Sequence, residues 1–196
     1  MKKSKNILLI MLSLFVLVGC SCIKKTNNED VIEYEHYLRG GKKQTEEAKI
    51  LWEYSNGTFT KYQVAYTSYV CSDISVNYSN VIYIELTSKG ESKDSLIRNI
   101  SFSTIDEDGV TFNVGLWGDY KEALGSEFYT GIETELLSNL KYAKYDDVSK
   151  ITQNGYGNYK NIEGIDSDLI TGGTISASNV VSIVKAIFDY HIENYY

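Results

Sequence analysis

Between residues 50 and 117, runs rich in Tyr, Val, Ile and Thr alternate with short clusters of Gly, Asn, Asp and Ser, the pattern of strands joined by tight turns. Residues 50–54 and 58–70 flank Ser55-Asn56-Gly57, and an Asn-Gly pair supplies the positive φ that a hairpin turn needs. Residues 81–86 read as a further strand, stopped by Ser88-Lys89-Gly90. Residues 99–105 and 110–117 are joined by Asp106-Glu107-Asp108-Gly109, the clearest hairpin signal in the chain. From Gly125 the period changes. Phe128, Ile132, Leu136 and Leu140 recur every four residues with Leu137 beside them, which predicts a helix of about four turns packed on the sheet. The last element is a helix over residues 179–192. Val180, Ile183, Val184 and Ile187 form its apolar stripe, widened by Phe188, and Ser182, Lys185 and Asp189 face away. Upstream, Val31, Tyr34 and Leu38 stand at near-helical spacing, so residues 30–38 read as a short helix stopped by Gly40-Gly41. The fold class expected is α+β: an antiparallel sheet of hairpins packed against helices, with a C-terminal helix following a Gly-rich loop.

The N-terminus has a different pattern. Lys2, Lys3 and Lys5 precede an apolar run over residues 7–18, and Leu17-Val18-Gly19 lead into Cys20, the layout of a secretion signal. The run is about a dozen residues, short of the roughly 20 that cross a bilayer. Leu17-Val18-Gly19-Cys20 also resembles a bacterial lipobox. That resemblance makes Cys20 the lipidated first residue of a mature protein held on the outer face of the cell membrane, since two or more acyl chains give stable anchoring. A plain signal peptide or an uncleaved anchor is the other reading. The organisation expected is a signal over residues 1–19, lipidated Cys20 and a tether over 20–45, and one domain over 46–196.

Charge narrows the partners. The chain carries 19 basic and 26 acidic residues, net −7; loss of residues 1–19 removes three lysines and no acid, leaving 16 against 26 and net −10. Nucleic acid and anionic lipid surfaces call for basic patches, so neither is an expected partner. Cys22 and Cys71 either form one disulfide or remain thiols, and the polar tether around Cys22 favours thiols. His36 and His191 lie in different regions without Cys or carboxylate partners at ligand spacing, so no metal site is expected. His191 reads as a favourable charge near a helix end or a surface residue. Tyrosine dominates the aromatics, 17 against 6 Phe and 2 Trp, which suits half-buried sheet faces and wet binding surfaces.

The stretch with the most chemistry is Asp168-Leu169-Ile170-Thr171-Gly172-Gly173-Thr174-Ile175-Ser176-Ala177-Ser178. Two glycines let backbone N–H groups converge, and the first turn of a following helix adds unpaired donors and the positive end of its dipole, a recipe for holding a phosphate. The same residues also make an ordinary Gly-Gly turn with Ser176 or Ser178 as N-cap. The run Asp-x-x-Thr-Gly-Gly-Thr-x-Ser, followed by Asn179-Val180-Val181 and a C-terminal helix, resembles the signature of the FMN-binding domain family. That family includes the flavin-carrying subunits of the sodium-pumping NADH:quinone oxidoreductase and Rnf complexes, and flavin-bearing bacterial surface lipoproteins.

The resemblance implies FMN attached through a phosphoester to Thr174 by a separate flavin transferase, with Asp168, Thr171 and Gly172 matching the motif. Gly173 stands where the family has alanine. It further implies that Asp168 shapes or presents the loop, that Gly172 and Gly173 allow close backbone approach, and that Ser176 and Ser178 donate to the phosphate or cap the helix. Tyr156 and Tyr159, in the glycine-containing loop over residues 154–159, would flank the isoalloxazine or cover the core edge. The chain departs from the family in lacking any proline, where many members carry Glu-Thr-Pro-Gly upstream; Glu133-Thr134-Glu135 stands nearest. The function expected on this resemblance is a membrane-anchored extracytoplasmic flavoprotein that passes electrons to or from a redox partner at the membrane. The alternative is a non-redox surface lipoprotein using the same fold as a binding module. A self-sufficient hydrolase has the least support, because Thr174 and the serines have no His or Lys base nearby in sequence.

Overall fold

The computed structural model describes residues 31–38, 42–70, 77–102, 136–153, 159–160 and 174–196, with the side chains of 68–70, 77–79, 153, 159, 160, 174 and 176 outside that description. Five antiparallel strands follow one another as a meander: β1 (Val31–Tyr37), β2 (Lys43–Ser55), β3 (Phe59–Val70), β4 (Asn77–Thr87) and β5 (Ile97–Phe102). Two short helices, α1 (Ser138–Leu140) and α2 (Tyr145–Ser149), and a small ladder of β6 (Thr152–Gln153) with β7 (Tyr159–Lys160) come next. The long helix α3 (Thr174–Tyr195) closes the chain and packs on the sheet.

The β2–β3 hairpin forms as its sequence dictates. Gly57 takes φ +78, and the Asn56 side-chain oxygen accepts from the N–H groups of Thr58 and Phe59, both at 3.0 Å. β4 covers the strand expected over 81–86 and ends before Gly90, whose φ is +103. β5 covers the described part of the strand expected over 99–105; the turn at 106–109 and the strand over 110–117 lie outside the described residues. Of the helix expected from Gly125, only its end is described, and there Leu136, Leu137 and Leu140 are buried as the spacing requires. In the loop over 154–159, Tyr159 belongs to β7 instead, while 154–158 lie outside the described residues.

The helix expected over 30–38 is a strand. Ile32, Tyr34 and His36 point inward while Val31, Glu33 and Glu35 point out, so the period is two, and pairing with β2 holds it. The sheet therefore takes in residues 31–37 and 43–45, upstream of the domain start expected at residue 46. α3 begins five residues earlier and ends three later than expected, at Thr174 and Tyr195. Its expected stripe is buried, yet so are Ala177, Val181 and Ser182, because the sheet wraps more of the helix than one stripe would cover. Ser182 thus faces β1, whereas Asp189 is exposed as expected.

A register shift between Ile50 and Trp52 changes the inward phase of β2. Before it Ala48 and Ile50 face the core; after it Glu53 does, and Leu51 and Trp52 are left on the surface, with Trp52 stacked on Tyr54. Tyr62, Val64, Ile82, Ile84 and Leu86 fill the sheet side of the core against Val180, Ile183, Val184, Ile187 and Phe188 of α3.

Candidate functional site

α3 runs antiparallel to β1. The Asn179 side chain accepts from the Tyr37 N–H at 2.6 Å and donates to the Tyr37 carbonyl at 3.1 Å, and the Ser182 hydroxyl donates to the Glu35 carbonyl at 2.6 Å. The N-terminus of α3 therefore lies toward the end of the sheet where β1 finishes, and its first helical residue is Thr174. Ser176 and Ser178 fall inside the first turns, past the N-cap position of a helix that starts at Thr174, so the N-cap reading of those serines is corrected. Asp168, Thr171, Gly172 and Gly173 lie outside the described residues, as do Cys20, Cys22, Cys71 and Tyr156, and the side chains of Thr174 and Ser176 are not described either.

At this end of the sheet sits a buried polar group that the sequence did not single out. Tyr34 gives its one proton to the Thr67 carbonyl at 2.7 Å, so at the 3.3 Å contact with His36 the imidazole Nδ1–H is the donor. His36 Nε2 is then an acceptor, and it has no partner among the described residues; the Tyr66 hydroxyl and the Asn80 side-chain nitrogen share that condition. Tyr66 and Asn80 are neighbours across β3 and β4, and the Tyr34 ring meets both His36 and Tyr66 edge-on. Burial lowers the His36 pKa, opposed in part by the Glu46 carboxylate, and burial raises those of Tyr34 and Tyr66, so all three are neutral at pH 7. The available signal was the inward phase of His36 in β1, hidden while that stretch was read as a helix.

The opposite end carries a second, fully partnered network. His191 is buried, contrary to the surface placement expected for it. Its Nε2–H donates to the Thr87 carbonyl at 2.8 Å and its Nδ1 accepts from the Tyr62 hydroxyl at 2.8 Å. Burial pushes its pKa down to about 4, with the Thr87 hydrogen bond opposing. Glu53 accepts from Tyr190 at 3.3 Å and from Tyr195.

Along β1 lies a groove of about 680 Å³, bounded by β1 from Val31 to Tyr37, by Lys43 of β2, by α3 from Ser182 to Glu193 and by Ile151 and Thr152. Among the described residues no His, Cys, Asp and Glu cluster could hold a metal ion, and no helix is long and apolar enough to cross a membrane. No family model matches the chain, and no curated protein or solved structure matches it.

Proposed function

We propose that this chain is a lipid-anchored extracytoplasmic flavoprotein that carries FMN on Thr174 and relays electrons at the membrane surface. The observation that carries the reading is the start of α3 at Thr174, the residue singled out by the FMN-binding domain resemblance. A helix N-terminus presents unpaired N–H groups and a positive dipole end to a phosphate. The buried side of α3 and the Asn179 and Ser182 bonds to β1 fix that N-terminus in direction, which lowers the ordering entropy lost when an anion is held there.

The nearby end of the sheet suits a flavin in kind. His36 Nε2, the Tyr66 hydroxyl and the Asn80 amide are buried polar atoms without partners among the described residues, and the Tyr34 and Tyr66 rings are flat apolar faces beside them. When bound, the flavin supplies the redox chemistry, and the chain supplies position and electrostatics. An unassisted threonine hydroxyl is a poor nucleophile at neutral pH, so base and metal for the attachment belong to the flavin transferase. Cys20 holds the protein on the bilayer.

Intact mass of the mature protein, co-expressed with an active flavin transferase, tests the reading. Wild type gains one FMN unit and Thr174→Ala gains none. No gain by wild type, with the transferase active on a known acceptor, overturns covalent attachment. The second reading, a non-redox surface lipoprotein acting as a binding module, is favoured by the exposed groove beside β1, and a mature protein that stays colourless selects it.

A further inference from the structure

β1 is an edge strand of the five-stranded sheet, and α3 closes only half of that edge. The even-numbered residues of β1 turn toward β2, as Leu38 shows by bonding Lys42 at the hairpin end. The odd-numbered residues turn outward, as the bonds from Tyr37 and Glu35 to α3 show. Along α3, Asn179, Ser182, Ala186, Asp189 and Glu193 recur at helical spacing on the side facing β1. The first two reach the strand and satisfy its backbone. The last three stand off from it, and the groove opens there, beside Val31 and Glu33. The outward N–H and C=O groups of Glu33 have no hydrogen bond among the described residues.

The walls of this open half are acidic. Glu33, Asp189 and Glu193 line it, and among the described residues none of them forms an ion pair. The two lysines of the groove are engaged at its closed half: Lys43 with Glu35 at 2.9 Å, and Lys185 with the Ile151 carbonyl at 3.2 Å. Asp189 accepts from the Tyr145 hydroxyl at 2.8 Å, but among the described residues none of the three carboxylates has a cation paired with it, and an exposed edge next to such acids is a template for an added strand that brings its own cations. A second copy fits poorly, because pairing β1 with β1 about a two-fold axis sets Glu33 and Glu35 against the same residues of the other chain.

We propose that the groove between β1 and the C-terminal half of α3 binds an extended, lysine- or arginine-rich segment of a partner protein, which adds a strand to the open half of β1 and pairs its cations with Glu33, Asp189 and Glu193. This goes beyond the flavin reading and holds or fails without it.

The test uses the full mature chain and two short capped peptides as probes, one alternating Lys with Val and Thr and one with Glu in place of Lys. Binding is read by fluorescence anisotropy, and the site by amide hydrogen exchange at Glu33 and Glu35. The Lys peptide binds and slows exchange at both amides, and its affinity falls with added salt. Combining Glu33→Gln with Glu193→Gln weakens it about tenfold. Glu33→Pro removes an outward N–H that no β2 bond uses, so it also weakens binding about tenfold while the urea midpoint shows the fold retained. Equal binding of the Glu peptide, or no binding of the Lys peptide, overturns the proposal. So does slow exchange at Glu33 and Glu35 in the free protein, which identifies the chain itself as occupant if concentration-independent and a second copy if it tracks dimerisation in sedimentation.

Discussion

Tyr62 directs its hydroxyl proton at Nδ1 of His191, and Nε2–H of the same ring points at the Thr87 carbonyl, which fixes one neutral tautomer in the core. The unfolded chain takes up a proton near pH 6.5 that the folded chain refuses until about pH 4. Stability from this residue is therefore complete above about pH 6.5 and is lost as pH falls toward 4, by roughly 1.4 kcal/mol per unit and about 3 kcal/mol in all. His36, shifted in the same direction by burial, adds to the loss. Urea unfolding at pH 7.5, 5.5 and 4 checks this, and His191→Gln flattens the profile while lowering the pH 7.5 value. Glu53 makes a second residue-scale case. Glu53→Ala leaves the Tyr190 and Tyr195 hydroxyls without their acceptor in a half-buried place and costs about 2 to 3 kcal/mol in the same assay.

The elements were legible where a local rule decides them. Gly57 is one such place, because only a residue tolerant of positive φ fits the β2–β3 turn. A Cβ there meets nothing within 4 Å, so Gly57→Ala carries a backbone cost only, about 1 kcal/mol by urea unfolding. β1 was not legible as a strand because Val31, Tyr34 and Leu38 match one period and Ile32, Tyr34 and His36 the other within the same short window; pairing with β2 decides between them. The start of α3 was misplaced for a related reason. Ser178 and Asn179 look like a polar approach to a helix, yet both are buried, and Asn179, with Ser182 three residues on, spends its side chain on the edge of β1. Asn179→Ala removes both bonds to Tyr37 and costs about 2 to 3 kcal/mol, read as a lower urea midpoint. Of the candidate site, the glycine-rich stretch was legible as an anion-holding turn before a helix, whereas Thr174 as the attachment point came from resemblance alone. The polar atoms of His36, Tyr66 and Asn80 come together only through three strands, and nothing local in sequence links them.

At the scale of the molecule, one helix completes the core. The inner faces of β1 to β5 supply one half, and α3 supplies most of the other, with Ala177, Val180, Val181, Ile183, Val184, Ile187 and Phe188 all buried. A chain ending at Gly173 leaves that sheet face bare, and its expected behaviour is a broad, non-cooperative urea response where the full chain gives a single transition. The neighbours of α3 are far from it in sequence: Tyr37 bonds Asn179 and Tyr62 bonds His191. Early strands therefore wait for late residues. A polypeptide delivered N-terminus first, from a ribosome or through a narrow pore, cannot complete this core until α3 has emerged. Until then it is the kind of sticky, half-built chain that a holding chaperone recognises.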